Sequence, residues 1–161
     1  MRVAILTVSD AGSRGERKDT SGDAIAEWIV ASGHELAGRA LVPDDSVAIV
    51  RALLDWCDND MADVVLTTGG TGLSPRDITP EATRTVIERE APGIAERIRA
   101  LSAGSFPRAA LARGIAGIRA RTLIVNLPGS IGGVRDGLAA LNPIIAHASQ
   151  IARDGKGDHW E

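Results

Sequence analysis

The sequence predicts a single-domain α/β protein in three layers, a mostly parallel sheet flanked by helices. Three observations carry that reading. Short apolar runs alternate with segments of helical period from one end of the chain to the other. The segments between them concentrate Gly, Pro, Asp, Ser and Thr, the residues of turns and caps. The 161 residues are enough for one core without disulfide or metal staples, and no repeat or linker divides them.

In order along the chain, residues 3–8 (VAILTV) read as a buried strand. Residues 21–32 follow as a helix with Ile25, Trp28 and Ile29 inward. A weaker strand covers 35–42, and a helix over 45–57 turns Val50, Leu53, Leu54 and Cys57 to the core. Residues 63–68 make a third strand. The next helix starts with Thr79 as N-cap and Pro80 at its first position, and runs to about residue 90. Pro92 opens another helix through 101 and Pro107 a short one through 113. Residues 121–127 form the fourth strand. A last helical stretch begins near Gly132, with Val134, Leu138, Leu141, Ile145 and Ala148 on one face and a break at Pro143. The domain is expected over 1–153, with a polar tail over 154–161.

Composition excludes several classes of function. The net charge is −3, whereas phosphate backbones are bound by basic faces, so nucleic acid is not expected as a partner. Three Trp and one Phe are too few for a base-stacking platform. The first apolar run, six residues before Ser9, is too short for a secretion signal or a membrane span, so a cytoplasmic location and no membrane partner are expected. Cys57 is the sole cysteine and sits on an apolar helix face, the position of a core residue rather than a nucleophile. His34, His147 and His159 stand alone, without metal-ligand spacing.

In an open parallel sheet, ligands bind beyond the carboxyl ends of the strands. The loops at 9–15, 43–45, 69–77 and 128–130 therefore hold the candidate chemistry. Thr67-Thr68-Gly69-Gly70-Thr71-Gly72 either aims backbone N–H groups at an anion or is a tight turn with glycines at positive φ. It is not a P-loop, since no Gly-Lys-Ser/Thr follows, and not a G-x-G-x-x-G fingerprint. Asp77 lies just before a helix N-terminus, where it stabilises the helix dipole or binds Mg²⁺ escorting a phosphate. One of Asp44 and Asp45 caps the following helix, which leaves the other free to face the rim. Arg14, Arg17 and Lys18, in a glycine-rich segment over 12–22, belong either to a loop closing over a polyanion or to a solvated surface.

Taken together, several stretches resemble the Mog-type molybdopterin adenylyltransferases and the gephyrin G domain. They are Val8-Ser9-Asp10 with Ser13 and Gly15, Asp19-Thr20-Ser21-Gly22, Val42-Pro43-Asp44-Asp45, the unbroken segment 67–83 and Leu127-Pro128-Gly129. The resemblance implies a Rossmann-like molybdopterin-binding fold, usually a homotrimer. It implies transfer of AMP from Mg-ATP to the terminal phosphate of molybdopterin, with release of pyrophosphate and later handover to a molybdate-inserting protein. By the same resemblance Asp44 and Asp77 are the catalytic, Mg²⁺-binding pair. Substrate binding then falls on Ser9, Asp10, Ser13, Gly69, Gly70, Thr71, Gly72, Ser74, Pro75, Arg76, Pro128, Gly129 and Ser130. Many relatives carry a proline after Pro-Gly-x, whereas here Ser130 is followed by Ile131-Gly132-Gly133. The related MoaB subgroup shares most of the motifs without necessarily adenylating, so a pterin carrier is the alternative, and an unrelated Mg²⁺-dependent phosphoryl-transfer enzyme a third. Both acidic residues being present favours catalysis over carriage, and the ordered set of four rim motifs disfavours the third reading.

Overall fold

A computed structural model describes residues 1–154, and in them every strand expected from the sequence is found. Strands β1 (Arg2–Val8), β2 (Glu35–Val42), β3 (Val64–Thr68), β4 (Arg89–Glu90), β5 (Ala116–Arg119) and β6 (Thr122–Leu127) form one sheet in the order β2-β1-β3-β6-β5-β4. The first four are parallel, while β5 runs antiparallel to β6 and β4 antiparallel to β5. Helices α1 (Asp10–Ser13), α2 (Thr20–Ala31), α3 (Ser46–Asp58), α4 (Thr79–Val86), α5 (Pro92–Ala103), α6 (Ile131–Leu141) and α7 (Ile145–Asp154) surround it, with a 3₁₀ turn at Pro107–Leu111.

The alternation of side chains along β1 assigns the two cores. Val3 and Ile5 pack with Val64, Leu66 and Val125 under Ile25 and Ile29 of α2 and Leu138 and Leu141 of α6. Ala4 and Leu6 pack on the other face with Val65 and Ile124, under Ile49, Leu53, Trp56 and Cys57 of α3 and Ala82 and Val86 of α4. Burial on both faces explains why β1, β3 and β6 read as continuous apolar runs rather than alternating ones. Each fully buried Leu or Ile contributes about 1.5–3 kcal/mol by leaving water. Cys57 belongs to this core, and burial pushes its thiol up to about 11, far from a thiolate at neutral pH.

Several sequence expectations are corrected. The inward face of α3 is Ile49, Leu53, Trp56 and Cys57, with Val50 and Leu54 only half-buried at its edge. Gly38 of β2 makes room for that face: a Cβ there would lie 3.1 Å from the Trp56 indole nitrogen. Thr79 is not a cap but the first residue of α4, and its buried hydroxyl donates to Gly69 O at 2.9 Å. That helix ends at Val86, not near residue 90, because Ile87 turns extended and the chain enters β4. The stretch after Pro107 is a 3₁₀ turn ending at Leu111 rather than a helix to 113. The antiparallel pair β4–β5 was not expected. Pro143 does separate α6 from α7, and α7 runs through Asp154, so the tail expected from that residue onward otherwise lies outside the described residues.

Candidate active site

Strand register sets the four loops side by side. Val8 pairs with Val42, Thr7 with Thr68, and Thr68 with Leu127, so the parallel strands end almost level. The chain leaving each strand therefore emerges on one rim, around a cavity of about 390 Å³. Ser9, Asp44, Gly69, Gly70, Asp77, Gly129 and Ser130 all line it, with at least one residue from each loop.

Hydrogen bonds tie these loops to one another. Ser9 N–H donates to Val42 O at 2.9 Å, and the Ser9 hydroxyl caps α1 by accepting from Gly12 N–H at 3.0 Å. Thr68 Oγ1 donates to Pro128 O at 2.7 Å and Ser21 Oγ to Gly129 O at 2.7 Å, so the β3, β6 and α2 segments share one brace. Beneath them Asn126 is buried and donates to Thr67 Oγ1 and Thr83 Oγ1 at 2.9 and 3.0 Å, while its Oδ1 accepts from Ile115 N–H at 3.2 Å. Both ends of the Asn126 amide are thus satisfied under the rim.

The glycine turn has a steric cause. Gly69 and Gly70 have φ of 94° and 65°, the left-handed region that disfavours side chains. A Cβ on Gly69 would meet Val8 O at 2.2 Å, and one on Gly70 would meet Thr79 Oγ1 at 2.3 Å. Tight turning and close packing therefore account for both glycines.

The aspartates divide as expected. Asp45 caps α3, its Oδ1 accepting from Ala48 N–H at 2.9 Å, and Asp44 is left facing the cavity. Asp44 Oδ2 accepts from Asp10 N–H at 2.9 Å, and Asp10 Oδ1 accepts from Asp44 N–H at 3.0 Å. Arg76 joins this pair through Nη2 and Nε to Asp10 Oδ2 at 2.7 and 3.1 Å. The charges respond accordingly. The Arg76 guanidinium holds the Asp10 carboxyl below its usual range. Burial raises that of Asp44, and the like charges of Asp10 and Asp77 add to it against the Asp10 N–H.

Asp77 is held as a turn residue while it lines the cavity. Its Oδ2 accepts from Ser74 N–H at 2.9 Å and its own N–H donates to Ser74 O at 2.9 Å. Arg113 clamps the same loop from below: it donates to Gly72 O at 2.7 Å and Asp77 O at 2.5 Å, and its Nη1 pairs with Glu81.

Of the other residues expected at the site, Asp10, Ser13, Thr71, Gly72, Ser74, Pro75, Arg76 and Pro128 do not line the main cavity. Asp10 and Arg76 stand one step behind Asp44. Ser13 donates back to Asp10 O, Thr71 is buried with its carbonyl on Arg113 N–H, and Pro75 is exposed. Pro128 faces a neighbouring space. Arg17 and Lys18 line the cavity, whereas Arg14 is paired with Glu16 at 2.9 Å and does not.

Thr7, Thr68 and Asp19 also line the cavity; the sequence motifs include Thr68 and Asp19 but assign no binding role to either, and Thr7 lies outside them. Asp19 is consumed by structure, accepting from Gly22 N–H, Thr7 Oγ1 and Arg39 Nη2 at 2.9, 2.9 and 2.8 Å. Besides its place in the family motif, its local signal is the N-cap pattern Asp19-Thr20-Ser21 before a helical run.

No cluster of three or more His, Cys, Asp or Glu able to hold a metal occurs among the described residues. Two carboxylates facing one cavity nevertheless suit Mg²⁺, a hard cation that takes one or two carboxylates and completes its shell with substrate phosphate and water. Nor is any helix among the described residues long and apolar enough to cross a membrane.

Fold and site together define an α/β protein with a polar cavity, lined by carboxylates and by Arg17 and Lys18, at the carboxyl rim of its parallel strands. The chain belongs to the family described as "Probable molybdopterin binding domain", which it matches over residues 4–147. It is 40% identical over 155 residues to a molybdopterin adenylyltransferase of Helicobacter pylori, covering 94% of this chain and 87% of that protein. It is 39% identical over 152 residues to the Drosophila melanogaster molybdenum cofactor synthesis protein cinnamon, covering 93% of this chain but only 25% of that longer protein. The crystal structure of the molybdopterin biosynthesis enzyme MoaB from Thermus thermophilus superimposes with a TM-score of 0.90 at 51% identity, covering 96% of this chain and 97% of that one.

Proposed function

We propose that this protein transfers the adenylyl group of Mg-ATP to the terminal phosphate of molybdopterin, a step of molybdenum cofactor biosynthesis. The observation that carries the reading is Asp44 and Asp77, from loops after different strands, facing one cavity beside the Gly69-Gly70 turn. The likeness to the Helicobacter adenylyltransferase over nearly the whole chain supports it.

In this reaction a phosphate oxygen of the pterin attacks the α-phosphorus of ATP, the bond from that phosphorus to the bridging oxygen breaks, and pyrophosphate leaves with the electron pair. Two polyanions must meet, so catalysis consists of positioning and charge neutralisation. Arg17 and Lys18 on the cavity wall supply fixed positive charge. The mutual backbone bonds of Asp10 and Asp44 hold the β1 and β2 loops in register, and the Asp77 turn holds the β3 loop. Asp44 and Asp77 would hold Mg²⁺, which screens phosphate charge and stabilises the transition state. A bare carboxylate beside phosphate would repel it, so the pair makes sense as metal ligands.

The protein in this reading is a cytoplasmic homotrimer that passes its product to a molybdate-inserting protein. A second reading, which the resemblance to the MoaB subgroup leaves open, is a pterin carrier without transfer activity. Incubation with molybdopterin and Mg-ATP separates the two. Adenylylated pterin and equimolar pyrophosphate are expected, and pterin binding without either product would establish the carrier.

A further inference from the structure

Both cations on the wall of the main cavity come from one short segment. Arg17 and Lys18 stand side by side in the exposed loop before α2. Arg17 forms no ion pair with any described residue. Lys18 Nζ lies 3.7 Å from Asp23 Oδ2, beyond hydrogen-bond distance, on a side chain 82% exposed. The sequence sets two carboxylates, Asp19 and Asp23, directly after these two cations. Left to themselves the four charges would cancel at the mouth of the cavity.

A cation from another part of the fold prevents that. Arg39 sits on the edge strand β2 opposite Ile5, and so on the sheet face covered by α2. Its Nη2 donates to Asp19 Oδ2 and to Asp23 Oδ1, each at 2.8 Å. Arg39 is the chief cause that holds the Asp23 carboxyl below its usual range, and Lys18 contributes less. Asp19, whose side chain is 12% exposed, is fixed further by Gly22 N–H and by Thr7 Oγ1 of the cavity wall, both at 2.9 Å. Arg39 itself does not line the cavity.

We propose that Arg39 is a positioning residue for phosphate capture: by taking up Asp19 and Asp23 it roots the loop before α2 and leaves Arg17 and Lys18 uncommitted toward the phosphates of a bound substrate. The proposal rests on the adenylyl-transfer reading for the identity of those phosphates. Without Arg39, the Asp23 carboxylate would draw Lys18 into a closer pair, and both carboxylates would repel an incoming polyanion. The loop would also lose its tie to the sheet, since Asp19 would keep only the Thr7 hydroxyl and the Gly22 N–H.

The test measures binding of Mg-ATP and of molybdopterin, each alone with the full chain, by calorimetry and by the pterin's own fluorescence. Arg39→Ala should weaken at least one of them by about fivefold or more, the effect of one unit charge lost several ångströms away near a protein surface. The ligand that responds is the one whose phosphate meets this loop. The loss should shrink as salt rises from about 0.05 to 0.5 M, because exposed charges are screened. Arg39→Lys should keep most of the affinity. Arg39→Gln, which keeps a donor but not the charge, should follow Arg39→Ala and replaces it if that variant melts early. Arg39→Ala combined with Asp23→Asn should bind more tightly than Arg39→Ala alone, although it removes one more polar group, because one uncompensated carboxylate is gone. Parental affinity for both ligands in Arg39→Ala, a loss indifferent to salt, or no recovery in the double variant would each overturn the proposal, the last two by showing that Arg39 is only a brace. Product formation separates this proposal from the reading it rests on. A parent that forms adenylylated pterin, while Arg39→Ala binds both ligands as the parent does, sinks the proposal alone. A parent that shows every one of these binding effects yet never forms adenylylated product sinks the transfer reading alone.

Discussion

Asp10 and Asp44 each accept the other's backbone N–H, at 3.0 and 2.9 Å, so two loops 34 residues apart are locked by a reciprocal pair of charged hydrogen bonds. Such bonds are among the stronger ones a protein makes. The arrangement leaves Asp44 aimed at the cavity while Asp10 takes Arg76.

The lock predicts a graded response at Asp10. Asp10→Asn keeps an oxygen to accept the Asp44 N–H and loses only a solvent-screened ion pair with the exposed Arg76. Asp10→Ala removes the acceptor and frees the β2 loop. Transfer rates within about threefold of the parent for Asn, and lower by tenfold or more for Ala, are expected at roughly 1.4 kcal/mol per tenfold. Steady-state kinetics on the two variants would show it, and equal rates would dissolve the lock.

Asp44 should oppose stability at neutral pH. Burial raises its carboxyl, so the folded chain holds its proton at a pH where the unfolded chain has lost it. Stability from this group is therefore greatest below the unfolded value and falls as pH rises through the raised folded one. Asp10, held down chiefly by Arg76, behaves in the opposite sense: its contribution is present above the unfolded value and is lost as pH falls through the folded one. Asp44→Asn should then melt at or above the parent temperature near pH 7, with the difference vanishing in acid, in melting curves taken from pH 4 to pH 8.

Arg113 should be a positioning residue for the β3 loop. Its guanidinium holds Gly72 O, Asp77 O and Glu81, and its N–H holds Thr71 O at 2.9 Å. Arg113→Ala leaves two carbonyls without donors, at about 1–3 kcal/mol each if they stay buried. A melting temperature lower by about 4–20 °C follows for a domain of this size. The rate should fall tenfold or more in chain that is still folded, with Arg113→Lys between. Unchanged turnover below the melting transition would show that the clamp is only structural.

Much of this was legible in the sequence, and the gaps have physical causes. Asp44 and Asp45 could be divided because one cap needs one carboxylate, and Asp45 is that cap. Val50 and Leu54 fit the helical period of α3 as well as Ile49 and Trp56 do, and the choice between them rests on tertiary packing, such as the space Gly38 leaves beside Trp56, which has no local signal. Strand β5 was missed because Ala116-Gly117-Ile118-Arg119 holds one large apolar residue, and its hairpin turns at Ala120 with φ of 49°, without the glycine or asparagine that announces such turns. The clamp from Arg113 to Gly72 spans 41 residues and leaves no local pattern, and neither does Asp19 meeting Arg39.

The most direct test of the account is the rate of adenylyl transfer in Asp44→Asn and Asp77→Asn, measured beside pterin binding and melting. Each change removes one negative charge from the cavity and keeps size and an acceptor oxygen. A loss of roughly a hundredfold or more in rate is predicted for each, as expected when a metal ligand in the transition state is removed, with pterin binding retained and no early melting. Near-parental rates in folded Asp44→Asn and Asp77→Asn would contradict the account and leave both carboxylates as loop braces.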